Sequence, residues 1–304
     1  MKAKLLLRKM WYYRWIYVLM LPGIVFFLTF AYFPMIGVGM AFREFSFRDP
    51  FFGGAWVGLD NFRTIFNSPE FIQALFNTVR ISIGRILFEF PVPIILALLF
   101  NELRGRRYKR FLQTVFTFPH FISWVVAAGL IRNLLVSNGV VNQLLLTAGL
   151  EQQTILTNPG AFLALLFVSA NWKNMGWGTI IYLATIAGID SEQYEAAVVD
   201  GANRWQRCIY ITFPHLIPVI GILFTIQVAF MMSAGFDQIF NLYNPTVFPT
   251  ADIIDTFIYR RTFELGESFS VSTATGLFRS LIAMILLVIA NTLVKRYNDG
   301  QGVY

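Results

Sequence analysis

One polar stretch stands out among the long apolar runs of this chain: Tyr194-Glu195-Ala196-Ala197-Val198-Val199-Asp200-Gly201, continuing to Ile211-Thr212-Phe213-Pro214. Its chemistry is that of a docking surface rather than a reaction centre. Asp190 and Ser191 carry oxygens able to cap a short helix that begins near Glu192. Tyr194, Ala197 and Val198 recur at i, i+3 and i+4, which gathers them on one small apolar face. Ala196 and Ala197 keep the surface slim, so a partner can approach closely. Gly201 supplies a turn that most other residues resist. A second helical stretch, 202–210, carries Arg204, Trp205 and Arg207 before Pro214 opens the next apolar run. The plainer alternative is an ordinary capped loop, since Glu-Ala-Ala alone occurs in any helix.

The other residues that could do chemistry are charges inside the apolar runs. An ionisable side chain deep in a span costs about 2.5–3.5 kcal/mol on insertion scales, so it faces protein or water rather than lipid. Arg85, Lys173 and Arg279 fall near the middle of such runs, and Glu89 is the acid at comparable depth. Arg85 and Glu89 are four residues apart on one helical face and can neutralise each other. Lys173 and Arg279 are then left without acidic partners in the spans, and a path with surplus positive charge suits an anionic solute. Catalysis finds no footing. There is no paired-carboxylate or nucleophile–base set, and His120 and His215, each beside a proline, have no metal-ligand spacing. Cys208 is the single cysteine, so no internal disulfide forms. The chain has no Gly-x-x-x-x-Gly-Lys-Ser/Thr phosphate loop, so energy must arrive through a partner. The island is where a partner can reach.

The elements that must position these residues are membrane helices. With 56% hydrophobic and only 13% charged residues, the chain is unlike a soluble domain. Six segments have the roughly 20 apolar residues needed to cross a bilayer: 15–37, 74–100, 111–135, 160–189, 214–236 and 269–294. The expected fold is all-α and polytopic, one transmembrane domain over 1–304. The first run has no charge from Trp15 to Phe42, exceeds the roughly 7–15 residues of a signal-peptide core and lacks a cleavage site, so it reads as an uncleaved span. The net charge of +7 does not argue for nucleic acid, because the basic residues cluster between apolar runs. One set of loops holds Lys2, Lys4, Arg8, Lys9, Arg14, Arg104, Arg106, Arg107, Lys109, Arg110, Arg204, Arg207, Lys295 and Arg296, against five basic residues in the alternate loops. The first set is therefore expected in the cytoplasm, with both termini inside and the island, about 190–213, on the same side. Arg80 and Arg132, near the outer ends, can snorkel to the interface. Pro22, Pro34, Pro91, Pro93, Pro119 and Pro218 are expected to kink or end helices.

The full spacing of the island carries a resemblance. Glu-Ala-Ala, three residues, Gly, nine residues, Ile, one residue, Leu-Pro marks permease subunits of binding-protein-dependent ABC importers. Glu195-Ala196-Ala197, Gly201, Ile211 and Pro214 match it, and Phe213 replaces the usual leucine. Val57-Gly58-Leu59-Asp60-Asn61-Phe62 resembles the first external loop of sugar-importer permeases. Trp177 to Ala184, Ala187 to Asp190, and Gly235 to Pro245 are similar to the branch that handles complex oligosaccharides of the polygalacturonan type.

The resemblance implies a type I ABC importer permease fold with a six-helix core, multi-pass in a bacterial cell membrane and in contact with lipid. It implies no catalytic activity and no cofactor in this chain. The expected partners are a homologous second permease, two ATPase subunits that bind ATP and magnesium, and an extracytoplasmic solute-binding protein. The island would be the coupling helix, with Glu195, Ala196, Ala197 and Gly201 as ATPase contacts and Asp200 as their neighbour. The cargo would be an oligosaccharide, uronate-containing or neutral. Arg85, Glu89, Asn171, Trp172, Lys173 and Arg279 are the candidates for its path, because sugar rings stack on aromatic faces and Trp172 and Trp177 flank Lys173. Packing is the commoner fate of a membrane aromatic. The rival reading is an ion-coupled carrier acting as a dimer, which needs a buried carboxylate relay for which only Glu89 qualifies.

Overall fold

A computed structural model describes residues 9, 11–49 and 53–297. Lys2, Lys4 and Arg8 of the N-terminal basic cluster lie outside the described residues. The described chain is helical and has no strand, only a lone antiparallel bridge between Arg43 and Trp56. Among the described residues, five helical stretches are long and apolar enough to cross a membrane: Arg14–Phe42, Pro69–Glu102, Trp124–Thr147, Arg204–Ala229 and Phe269–Arg296.

Four departures from the expected segments have local causes. The second stretch is broken at Glu89 and Phe90, where Pro91 starts a new helix, giving Pro69–Phe88 and Pro91–Glu102. Expected segment 111–135 is not one helix. It is a helix Arg106–Thr117, a 3₁₀ turn Phe118–Phe121 around Pro119, and a helix Trp124–Leu135 capped by Ser123, whose Oγ accepts from the Val126 N–H at 3.3 Å. Its apolar stretch runs on to Thr147. Expected segment 160–189 is the 29-residue helix Pro159–Ala187, about 44 Å long at 1.5 Å per residue. It is absent from the five apolar stretches, and Asn171, Lys173 and Asn174 interrupt it. The fifth span ends at Ala229. The residues after it form a 3₁₀ turn and then a left-handed corner at Ala234 (φ 45°) and Gly235 (φ 80°).

The chain divides into two compact units. The first comprises residues 1–67 and 261–277. Within it, helix Arg14–Phe27 buries none of its residues, as befits a helix whose surroundings are not its own chain. Asn61 ties down the loop that follows, its Nδ2 donating to the carbonyls of Ala41 at 3.0 Å and Arg43 at 2.9 Å. The second unit comprises 68–260 and 278–304. Helix Pro159–Ala187 is its central column, burying Phe162, Leu166, Ala170, Lys173, Gly176, Thr179 and Tyr182 at helical spacing. One apolar cluster joins its first half to Ile81, Ile239, Leu242 and Ile253. A second joins Tyr182 and Ile186 to Ile94, Ala97 and Leu216.

Candidate functional site

The island folds as a short helix, Ser191–Val199, a turn, and a second helix. Asp190 is the N-cap, its Oδ1 accepting from the Glu192 N–H at 3.0 Å. Gly201 adopts φ 81°; its N–H donates to Val198 O at 3.1 Å and that of Ala202 to Ala197 O at 2.8 Å, which satisfies the last carbonyls of the helix. A Cβ at Gly201 would meet no atom of this chain within 4 Å. Backbone angle, not crowding, requires glycine there. The second helix, Arg204–Arg207, starts later than the expected 202–210. It then continues through a π-helical turn, Cys208–Thr212, straight into Phe213–Ala229. Asn203 forms a capping box with Gln206, at 2.9 and 2.8 Å, an Asn-x-x-Gln signal that the sequence reading passed over.

Tyr194 and Ala197 turn inward and are half-buried, but Val198 does not complete their face: it is exposed. Glu195, Ala196, Asp200 and Gly201 are exposed with it, and so is Val199, 88% accessible and absent from the expected contacts. The island thus presents an outward surface that its own chain leaves uncovered. One polar contact anchors it from behind. Tyr194 Oη lies 2.9 Å from Thr212 Oγ1, and Thr212 is buried in the π-turn at the root of the fifth span.

The mid-span charges are arranged differently from expectation. Arg85 Nη1 donates to both Glu89 oxygens, at 2.9 and 3.0 Å, as the spacing implied. Its Nε donates to Ala234 O at 3.1 Å and its Nη2 to Gln238 Oε1. Gln238 Nε2 in turn donates to Leu166 O at 2.7 Å and Ser169 Oγ at 2.8 Å. A Cβ at Gly235 would crowd the Arg85 guanidinium, and the left-handed backbone at φ 80° itself favours glycine there. Arg85 is therefore engaged through all three guanidinium nitrogens in holding three segments together.

Arg279, expected to lack an acid within the spans, finds one outside them. It forms an ion pair with Asp255, which lies on the short helix Ile254–Tyr259 outside the spans. Burial holds the Asp255 carboxyl above its ordinary range, against the pull of Arg279. Nearby, Arg260 chelates Asp252 at 2.9 and 2.6 Å, a hydrogen-bonded pairing that raises the guanidinium further. Lys173 has no acidic partner among the described residues. Its Nζ donates to His120 O at 2.6 Å and lies over the Trp124 ring at 5.7 Å.

Where the second stretch breaks, a cavity of about 330 Å³ opens against helices Pro159–Ala187 and Phe213–Ala229. Glu89, Asn171, Asn174, Trp177, Tyr182 and Gln227 give it polar and aromatic character. Asn171 Nδ2 is held by Phe88 O at 3.0 Å, which leaves its Oδ1 to accept. Trp177 is stacked on one face by His120, centroids 4.6 Å apart and planes 4° apart, and His120 Nδ1 lies 3.3 Å from Asn174 Oδ1. Of the six expected path residues, Glu89 and Asn171 line this cavity and Arg85 stands behind Glu89. Trp172, Lys173 and Arg279 do not line it. Asn174 and Gln227 went unnoticed. Asn174 was within reach of the sequence, because it follows Asn171 by three residues on one helical face.

Comparison with known proteins agrees with this architecture over the whole chain. Residues 89–299 match the family described as binding-protein-dependent transport system inner membrane component. Protein LplB of Bacillus subtilis (strain 168) is 39% identical over 302 residues, covering 96% of this chain and 91% of its own. The polygalacturonan/rhamnogalacturonan transport system permease protein YteP of the same organism is 38% identical over 304 residues, covering 100% and 94%. A crystal structure of a bacterial ABC transporter involved in the import of the acidic polysaccharide alginate contains a chain that superimposes with a TM-score of 0.90 at 39% identity, over 96% of this chain and 99% of that one. A second, with an alginate pentasaccharide-bound periplasmic protein, matches as well. The chain therefore belongs to the binding-protein-dependent transport system inner membrane components: it is a multi-pass membrane permease with the ABC importer permease fold, homologous to carbohydrate ABC permeases.

Proposed function

We propose that this chain is one permease half of an ATP-driven importer whose cargo is an acidic, uronate-containing oligosaccharide. The observation that carries the reading is end-to-end identity of 38–39% to permeases named for polygalacturonan/rhamnogalacturonan and for alginate. In this reading a solute-binding protein delivers cargo outside and a second permease completes the path. Two ATPase subunits, which hold ATP and magnesium, grip the island from the cytoplasm, where both termini also lie. Glu195, Ala196, Ala197, Asp200 and Gly201, together with exposed Val199, form the gripped surface. The continuous π-turn then passes motion into the fifth span, and closure of the ATPases drives alternating access.

The cavity is the proposed cargo subsite of this half. Trp177, backed by His120, has one face for a sugar ring, while Asn171, Asn174 and Gln227 offer amides to hydroxyls. The one acid on the wall, Glu89, is balanced by Arg85. Of the three mid-span cations only Lys173 lacks an acidic partner among the described residues, so the surplus charge on which an electrostatic case for acidic cargo rests is smaller than the sequence suggested. The test is ATP-driven uptake by the reconstituted complex of acidic and neutral oligosaccharides of equal length. Faster uptake of the acidic series is expected, and equal rates end the acidic reading. Uptake that persists without ATP and collapses with an uncoupler would instead make the chain an ion-coupled carrier.

A further inference from the structure

The turn after the second apolar stretch leads into a helix whose sides are unusually well sorted. Gly105, at φ 91°, redirects the chain just past Glu102 into helix Arg106–Thr117. Arg106, Arg107 and Arg110 line, with Phe111 and Thr114, an open cleft of about 640 Å³. All three arginines are exposed, and none forms an ion pair with a described residue. Beside them runs an apolar stripe, Tyr108, Phe111, Val115 and Phe118, spaced by three or four residues and 55%, 62%, 48% and 64% exposed. The opposite side is anchored: Phe116 packs edge-on against Phe100 with centroids 5.7 Å apart.

An anchored helix with a basic margin and a bare apolar stripe, placed where a membrane-spanning stretch ends, has the geometry of a helix lying in the lipid interface. Guanidinium groups bind phosphate oxygens in pairs, and an apolar stripe takes acyl chains. A free phosphate would use the first feature only; an acidic protein surface would leave the stripe bare. We propose that the Arg106–Arg107–Arg110 cleft is a binding site for the headgroup of an anionic phospholipid, whose acyl chains lie along Tyr108, Phe111, Val115 and Phe118. The proposal needs only the membrane location of the chain and is independent of its cargo.

The test uses detergent-purified protein with whatever subunits accompany it, titrated with phosphatidylglycerol, with phosphatidylcholine of identical acyl chains, and with glycerol phosphate, bound lipid being counted by native mass spectrometry. Basic residues near a membrane surface favour anionic headgroups, so the wild type should bind the anionic lipid about tenfold or more tightly than the zwitterionic one. The triple variant Arg106→Gln/Arg107→Gln/Arg110→Gln should bring the two to parity, whereas Arg48→Gln, an exposed arginine elsewhere in the sequence, should not. Equal binding of both lipids by the wild type overturns the proposal even if the triple variant fails to accumulate. So does retention of the preference by the triple variant, full competition by glycerol phosphate, or loss of an accompanying subunit with lipid preference intact.

Discussion

The island and the Arg85 hub are both polar structures in an apolar chain, and they resolve their polarity in opposite ways. The island is built from contiguous residues, caps its own ends and leaves Glu195, Ala196, Val198, Val199 and Asp200 uncovered. The hub joins Arg85 to Ala234 and Gln238, 149 and 153 positions away, and Gln238 to Leu166, 72 positions away, so its bonds are made inside the chain. A surface left bare by its own fold is available to a partner. A buried charge bonded at each of its nitrogens is a brace. The difference separates residues that act outward from residues that hold the frame, although hydropathy treats them alike.

The sharpest way to break that contrast is at Gly201. Leucine there would be strained at φ 81° and would fill space that this chain leaves empty. Gly201→Leu should abolish uptake while ATP hydrolysis by the reconstituted complex continues; normal uptake removes the coupling role. Next comes Arg85→Met, which leaves the mostly buried Glu89 on the cavity wall without its cation. Breaking a buried pair this way costs about 3–5 kcal/mol, so the melting temperature in detergent should fall steeply. A variant that melts normally and changes only the KM for cargo would make Arg85 a ligand rather than a brace.

Tyr194→Phe is gentler. It deletes one hydrogen bond to Thr212, worth about 1 kcal/mol, and leaves the ring in place. Stability should scarcely change, but cargo moved per ATP should drop severalfold if this contact transmits motion. An unchanged ratio would reduce it to packing. The smallest effect concerns Asp255. Its carboxyl is raised by burial, so the folded protein holds that proton more tightly than the unfolded chain. The stabilising contribution is fully present below the ordinary carboxylate range and is lost as pH rises through the raised value. Melting temperature across that window should therefore fall slightly more in the wild type than in Asp255→Asn; parallel curves would show that Arg279 offsets the burial.

The spans and the island were legible because their determinants are local. Apolar run length, Asp190 as a cap and Gly201 as a turn each act within a few residues. The third expected span failed for a local reason too: Pro119 and Ser123 end one helix and start another inside a run that hydropathy alone reads as continuous. The partner of Arg279 was not legible, because Asp255 sits 24 residues away on a short helix outside the spans. The cavity was half legible. Glu89 and Asn171 were expected, but Lys173 and Trp172 drew attention to neighbours that face elsewhere.

By itself the sequence determined that the chain lives in a membrane, where most of its apolar stretches run, and that one polar elbow is a capped helix closed by a glycine turn. Short-range forces suffice for those, since burial of apolar length and closure of helix ends depend on near neighbours. Only the tertiary structure decided which charges are spent and which are free, because a buried ion pair or a cavity wall exists only when helices distant in sequence are brought within hydrogen-bond reach.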